Sequence, residues 1–167
     1  MISHQQSGFT LVELITVMVL IGILSTVAFS RFADTDPYKQ ALFSSKLQAY
    51  IRAAQQIAMA QQTALYADRT PKSLLTLLQT EQSKWQITIA NDTGMQSHSL
   101  ELNENVQVDK QPLPKGVKLV LKFAANGDLV QTSYPEISQV THSLALQIGE
   151  ETLCIAPTGY SYEGSCI

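Results

Sequence analysis

The N-terminal part of the chain carries its longest apolar run, from Phe9 to about Phe29. A short polar segment precedes this run, and Gly8 stands at the boundary. A helix of about 20 apolar residues can cross the roughly 30 Å hydrocarbon core of a bilayer. One acid, Glu13, is the fifth residue of the run. Because a carboxylate at the centre of a membrane helix costs about 3 kcal/mol, Glu13 requires a specific explanation.

Two other interpretations fit the apolar run less well. A secretory signal peptide has a shorter apolar stretch of about 7–15 residues, followed by a small-residue cleavage site, whereas this glycine precedes the run. A buried core helix would need apolar cover on every side, which the rest of the chain is too small to supply readily. The pattern therefore favours a membrane-inserted helix over residues 9–29. The simplest role for Glu13 would be to reach the lipid headgroups with its carboxylate.

A helical pattern resumes beyond the apolar run and becomes amphipathic. Asp36-Pro37 predicts a break, because proline inside a helix removes a hydrogen bond. From Tyr38 to Leu65 apolar residues recur at helical spacing, and polar residues fill most of the other positions. Residues 9–67 are therefore predicted to form one interrupted helix, with a membrane half over 9–29 and an amphipathic continuation over 30–67.

Strand patterns dominate residues 68–167, which are predicted to form a β-rich globular domain. Apolar residues alternate most clearly from Val117 to Phe123, and Asn126-Gly127-Asp128 is typical of a hairpin turn. Shorter alternating segments are Trp85–Ile89, Leu100–Leu102, Val106–Val108, Leu144–Ile148, Leu153–Ala156 and Tyr160–Tyr162, the two tyrosines being expected to pack on the sheet. The leucine-rich segment Ser73–Gln79 is compatible with a short helix or a packed loop. The predicted fold class is α+β, with a long N-terminal helix packed against an antiparallel β-sheet.

Charge and cysteine content limit the chemistry of the globular domain. The formal net charge is −3, and no Lys or Arg follows Lys122, so nucleic-acid binding by the C-terminal part is not expected. The two cysteines, Cys154 and Cys166, lie near the C-terminus, and in an exported domain this spacing favours a disulfide.

Metal binding and catalysis fit the cysteines less well than a disulfide does. A zinc site needs further Cys or His ligands at close spacing, and His4, His98 and His142 do not supply it. A nucleophilic thiol would need one of these distant histidines as its base. No phosphate-binding loop, nucleophile elbow or metalloprotease motif is present. The sequence therefore predicts a protein that is not an enzyme and that uses no cofactor or metal.

The segment Gly8-Phe9-Thr10-Leu11-Val12-Glu13 resembles the processing site of type IV pilins and of type II secretion pseudopilins. The resemblance implies that residues 1–8 are a leader, which a prepilin peptidase removes between Gly8 and Phe9. It also implies that the new amine of Phe9 is methylated and that Glu13 is the assembly carboxylate. The implied partners are other pilin subunits through the N-terminal helix, the prepilin peptidase/methyltransferase, the inner-membrane assembly platform and membrane lipid.

Two patterns in the C-terminal part resemble those of particular subgroups of pilins and pseudopilins. The order of β segments around Phe123-Ala124-Ala125-Asn126-Gly127 is similar to the pseudopilin H and FimT-type minor pilins. The ending from Cys154 to Cys166 is similar to C-type minor pilins of the mannose-sensitive haemagglutinin pilus. The implied function is that of a minor pilin that joins or primes an adhesive pilus. It would sit in the inner membrane with a periplasmic domain and move to the cell surface on assembly.

Two alternative functions remain open on the sequence. One is a minor pseudopilin of type II secretion, H-like, which would stay in the periplasm. The other is a membrane-anchored periplasmic binding protein that does not polymerise.

Overall fold

A computed structural model describes residues 10–32, 36–61, 70–81 and 83–167 of the chain. The chain divides into two compact units, Met1–Thr35 and Asp36–Ile167. Helix α1 (Leu11–Phe32) belongs to the first unit, and helix α2 (Asp36–Ala60) belongs to the second. The described strands of the second unit are β1 (Pro71–Glu81), β2 (Lys84–Asn91), β3 (Gly94–Glu101), β4 (Val106–Val108), β5 (Gln111–Pro112), β6 (Lys118–Ala124), β7 (Leu129–Ser133), β8 (Glu136–Ile137), β9 (Leu144–Ile148), β10 (Glu151–Ile155) and β11 (Ser161–Glu163). The α+β fold class is confirmed.

The strands form two antiparallel sheets, whereas the sequence pattern predicted one. Sheet A has the strand order β3-β2-β1-β6-β7-β8, and sheet B has the order β11-β10-β9-β4-β5. Helix α2 contacts strands of both sheets. Alternation along a strand reveals which residues face the core, but it does not reveal which strands pair, so the division into two sheets was not visible in the sequence.

Helix α2 runs from Asp36 to Ala60, within the predicted range of 30–67. Pro37 is its second residue, where proline fits because the first-turn N–H groups have no partner inside the helix. Residues 33–35, between α1 and α2, lie outside the described part of the chain, so the interruption predicted near Asp36-Pro37 stays a prediction. The helix ends at Ala60, earlier than the predicted Ala67, because the amide of Gln61 donates to the carbonyl of Ala58 and closes a tighter turn. Residues 62–69 lie outside the described part of the chain.

The core of the second unit lies where α2 meets the inner faces of the sheets. The helix buries one stripe, formed by Phe43, Leu47, Ile51, Ala54 and Ala58. The ring of Phe43 meets Trp85 of β2 edge to face, with 5.9 Å between the ring centroids. The strand residues buried with them include Leu75, Leu77, Ile87, Leu119, Leu121, Phe123, Leu129, Leu144, Leu146, Ile148, Leu153 and Ile155. The amphipathic helix thus joins both sheets through one apolar stripe.

Strand β1 corrects the prediction for the leucine-rich segment. Residues 73–79 belong to an extended strand that pairs with β2 on one side and with β6 on the other. Leu75 and Leu77 face the core, while Leu74 and Leu78 lie half-buried on the opposite face. Because leucines occupy both faces, the polar–apolar alternation that identifies a strand is missing.

Two tight turns set the strand registers. The predicted turn at Asn126-Gly127-Asp128 is confirmed between β6 and β7, with Gly127 at a φ of 88°. The turn between β4 and β5 has Asp109 and Lys110 at positive φ values of 48° and 67°. Val108 pairs with Gln111 across this turn, so its two central residues match a type I′ hairpin. The Asp109 carboxylate also accepts a hydrogen bond of 2.8 Å from the amide of Ala145 in β9.

Candidate functional site

Thr10 caps the N-terminus of α1. The Thr10 hydroxyl accepts a hydrogen bond of 3.3 Å from the amide of Glu13, and the Thr10 carbonyl accepts one of 3.1 Å from the same amide. A Thr followed three residues later by Glu is the sequence signature of a capping box, which satisfies amides that the helix itself cannot pair. This signal was present in Thr10-Leu11-Val12-Glu13, and it explains why the helix begins at Leu11.

Glu13 therefore has a place in the first turn of α1 in addition to its expected role in assembly. The positive end of the helix dipole favours a carboxylate at this position. Among the residues that the structure describes, no group forms a hydrogen bond or ion pair with the Glu13 side chain. Its charge is thus exposed on the helix surface and open to a cation from another molecule.

Apolar side chains cover the described surface of α1 on all sides. Those from position 11 to position 24 are between 44% and 74% exposed: Leu11, Val12, Leu14, Ile15, Val17, Met18, Val19, Leu20, Ile21, Ile23 and Leu24. Complete burial of one such side chain in apolar surroundings lowers the free energy by about 1.5–3 kcal/mol. Even partial burial of this set would therefore supply on the order of 10 kcal/mol, so α1 strongly favours an apolar environment.

Three hydroxyl groups in the described part of this apolar helix form hydrogen bonds within the helix. The side chain of Thr16 donates to the carbonyl of Glu13 at 2.9 Å, and Ser25 donates to Ile21 at 2.7 Å. Thr26 donates in the same way to Ile23 at 2.8 Å. Side chains that bond back to their own helix need no water. Glu13 is consequently the side chain in residues 11–26 whose polar group depends most on the surroundings.

The remaining predicted residues of this region are not all described. Gly8 and Phe9, the predicted cleavage site, lie outside the described residues. Within the part of the chain that the structure describes, no helix combines the length and the hydropathy of a membrane span.

Comparison with known proteins bears on this same N-terminal segment. Residues 3–29 match the prokaryotic N-terminal methylation motif. The methylation motif supports a type IV pilin or pseudopilin. The matched residues include Glu13 and Thr10, the residue that caps α1. It implies processing by a prepilin peptidase, membrane anchoring before assembly, and assembly with other pilins. It indicates a structural subunit rather than an enzyme. No curated protein and no solved structure shows significant similarity to the chain.

A disulfide joins the two cysteines at the C-terminal end of the fold. Cys154 of β10 and Cys166 are bonded, with 5.4 Å between their Cα atoms, so neither carries a free thiol. Cys154 is fully buried, and the bond ties the end of the chain to sheet B.

The His98 side chain contacts helix α2 and not the cysteines. Its ring stacks on Tyr50 of α2, with 4.7 Å between the ring centroids. Among the described residues, no three His, Cys, Asp or Glu side chains form a group that could hold a metal.

A row of glutamines on α2 makes contacts that the sequence pattern did not predict. This glutamine row consists of Gln40, Gln48 and Gln55. Gln48 donates a hydrogen bond of 2.9 Å to the carbonyl of Ser161 in β11. Gln55 donates to the carbonyls of Gly127, at 3.1 Å, and Thr158, at 2.9 Å.

Gln40 completes the row at the start of α2. Its side chain bonds Glu104 and accepts a hydrogen bond of 3.3 Å from the amide of Glu150. The row's spacing of seven to eight residues, which keeps side chains on one helix face, was the available signal. The row fixes α2 to turns of both sheets.

Of the two tyrosines near the disulfide, Tyr160 differs from its prediction, whereas Tyr162 is half-buried in β11. Tyr160 and Tyr162 stack with 6.0 Å between ring centroids, but Tyr160 is 58% exposed rather than packed on the sheet. Tyr160 lies just before β11, where it has no strand neighbour on its outer side within the described chain.

Proposed function

We propose that this protein is a minor type IV pilin of the mannose-sensitive haemagglutinin type, which joins or primes an adhesive pilus. The observation that carries the proposal is the Glu13 carboxylate within the methylation motif, which has no partner among the described residues and lies on a helix covered with apolar side chains. In this proposal residues 1–8 are removed, the new amine of Phe9 is methylated, and Glu13 pairs with the amine of a neighbouring subunit.

The energetics of Glu13 support an assembly role. A carboxylate in apolar surroundings is best satisfied by a cation that also donates hydrogen bonds. The described part of the chain supplies no such group, whereas processing at Phe9 would create an amine four residues away in sequence on every subunit. Pairing between copies therefore compensates both charges at once and sets the stagger between adjacent helices.

The packing of α2 on the two sheets of the second unit also supports the proposal. Helix α2 is fixed to both sheets through its apolar stripe and the glutamine row, so the helix and the two sheets share one core. A domain of this kind can be carried on an assembling helix without rearranging. Its acidic C-terminal part is consistent with a role that does not involve nucleic acid.

The test compares Glu13→Gln with Glu136→Gln, an identical change at an exposed residue of β8. Both variants are expected to be processed at the wild-type rate, because neither alters Gly8 or Phe9. Removing one partner of a desolvated ion pair costs about 3–5 kcal/mol, so Glu13→Gln should enter sheared filaments at least tenfold less. Glu136→Gln should enter normally. Equal incorporation of the two variants would refute the assembly role.

Mass spectrometry of the mature N-terminus tests the processing steps. The expected terminus is Phe9 with one additional methyl group, and Gly8→Leu should block processing more than Gly8→Ala. A chain that keeps Met1 would instead fit a membrane-anchored periplasmic binding protein that does not polymerise.

The methylation motif is shared with secretion pseudopilins, so an H-like pseudopilin of type II secretion is the second candidate. Location separates the two: a pilin is recovered from the cell surface, and a pseudopilin stays in the periplasm.

A further inference from the structure

Asn126 is the one asparagine of the chain that a glycine follows, and it lies in the turn between β6 and β7. Asparagine side chains are chemically labile and lose ammonia spontaneously. A following glycine favours this reaction, because its backbone nitrogen is not shielded by a side chain and its backbone is flexible. Asn126 is also exposed, so water and base can reach its side chain. The local sequence therefore makes Asn126 the asparagine of this chain that deamidates most readily.

Deamidation at this pair needs no enzyme and no cofactor. The Gly127 backbone nitrogen, after it loses its proton to base, attacks the side-chain carbonyl carbon of Asn126. A C–N bond forms, the side-chain nitrogen takes up a proton and leaves as ammonia, and a cyclic succinimide results. Water then opens the ring at either carbonyl, which gives an aspartate or an isoaspartate whose backbone runs through the former side chain.

The folded turn holds both reacting groups in hydrogen bonds. The Gly127 amide is buried and donates to the Ala124 carbonyl at 2.9 Å. The Asn126 side-chain nitrogen donates to the Asp128 carboxylate at 2.8 Å, and the Asn126 side-chain oxygen accepts from the Asp128 amide at 3.1 Å. Because the attacking nitrogen must first lose its proton, the hydrogen bond from Gly127 to Ala124 has to break before the reaction. Deamidation therefore proceeds from an opened turn.

The products of deamidation fit the folded turn poorly. Helix α2 packs directly on Gly127: a Cβ atom placed there would lie 3.1 Å from the Met59 sulfur and 3.2 Å from the Gln55 side-chain nitrogen. The Gly127 carbonyl also accepts the hydrogen bond of 3.1 Å from Gln55. An isoaspartate lengthens the backbone next to this contact. An aspartate places a carboxylate where the Asn126 nitrogen now donates to Asp128, so that two like charges meet.

We propose that Asn126 is a site of spontaneous deamidation that the hydrogen-bonded turn restrains, and that its conversion loosens the attachment of α2 to this turn. The hydrogen bond from Asn126 to Asp128 slows the reaction and is lost in the product, so the change is self-reinforcing once it occurs. The site lies within the second unit, so it does not depend on the N-terminal motif or on filament assembly.

Peptide mapping by mass spectrometry on the full chain in non-ionic detergent measures the reaction. Samples are kept in mildly alkaline buffer with and without guanidinium chloride, and the deamidated fraction of Asn126 is followed over time. The folded chain is expected to react at least about tenfold more slowly than the unfolded chain, because opening of the turn limits the reaction. Asp128→Ala removes the carboxylate acceptor and should accelerate deamidation of the folded chain about three- to tenfold. Asp128→Asn keeps an acceptor oxygen and should react at nearly the wild-type rate.

A double-mutant cycle measures the consequence of deamidation. Asn126→Asp reproduces one product and should raise the equilibrium constant for unfolding about three- to tenfold, as urea titration with Trp85 fluorescence reports it. In the Asp128→Asn background the same change only exchanges donor and acceptor, so most of its effect should disappear. In the aged wild-type chain, amide exchange in α2 near Gln55 and Met59 should be faster for deamidated than for intact molecules.

Three results would overturn the proposal. One is deamidation of the folded chain as fast as that of the unfolded chain, which would mean that the turn gives no restraint. Another is equal deamidation rates for Asp128→Ala and Asp128→Asn, or equal destabilisation by Asn126→Asp in both backgrounds. The third is unchanged exchange at the end of α2 in deamidated molecules, which would separate Asn126 from the attachment of the helix.

Discussion

The contact between Gly127, Gly159 and Gln55 gives a quantitative test of how α2 is held to the two sheets. Gly159 has a φ of 77°, and a methyl group added to it would lie 2.7 Å from the Gln55 side-chain nitrogen. The same methyl group would approach the backbone oxygen of Gly127 still more closely. Gly159→Ala therefore introduces backbone strain and a clash with an atom that cannot rotate away.

The two effects of Gly159→Ala can be estimated separately. A left-handed conformation costs about 1–2 kcal/mol for a residue with a Cβ atom. Crowding in a packed region adds about 1–3 kcal/mol. Alanine also gives the unfolded chain fewer conformations than glycine does, which stabilises the folded domain by about 0.4–1 kcal/mol. We expect a net decrease of about 2–4 kcal/mol in the free energy of unfolding, a large part of the roughly 5–15 kcal/mol of a typical domain.

Urea unfolding of the full chain in non-ionic detergent measures this decrease. Trp85 is the single tryptophan and is fully buried, so its fluorescence reports the core. Gly116→Ala is the control for backbone strain, since Gly116 has a φ of 80° and no atom within 4 Å of an added methyl group. Gly94→Ala controls for the substitution itself, because its surroundings are equally open. If Gly159→Ala destabilised the domain no more than Gly116→Ala, the inferred contact would be wrong.

Two further changes are measured in the same urea assay. Cys154→Ala with Cys166→Ala should lower the free energy of unfolding by about 3 kcal/mol, because the bond closes a loop with a sequence separation of 12. A reductant should have a similar effect on the wild-type chain and none on the double variant. Lys110→Gly should raise the free energy of unfolding by up to about 1 kcal/mol, because glycine adopts its φ of 67° without strain. A loss of stability would contradict the assignment of the turn.

Strands with one buried face were predictable from the sequence. The alternation in β2, β6 and β9 places Ile87, Leu121 and Leu146 in the core, and the structure confirms all three. Strand β1 was missed because it carries leucine on both faces, and most of β3 was missed because both its faces are exposed. In each case the two faces of the strand carry side chains of similar hydrophobicity, so the sequence pattern contains no period of two.

In the candidate site, too, local features were predictable from the sequence and long-range contacts were not. Glu13 was evident because one acid stands out in an apolar run, and the bond between Cys154 and Cys166 followed from their number and spacing. The cap by Thr10 was also local and could have been found. The partners of Gln55 could not, because they lie 72 and 103 residues away, in turns whose positions depend on the pairing of both sheets.

Because Thr16, Ser25 and Thr26 donate hydrogen bonds to carbonyls of their own helix, these hydroxyl groups need no partner from lipid or from a neighbouring protein. Moving such a helix from lipid to a protein neighbour neither breaks nor creates a hydrogen bond at these hydroxyls. Side-chain packing can also be exchanged at little cost, since lipid chains and leucines are equally apolar. Among the side chains described in α1, from Leu11 to Thr26, the Glu13 carboxylate is the group whose free energy differs most between the two environments. A cation placed beside Glu13 would therefore favour the environment that contains it.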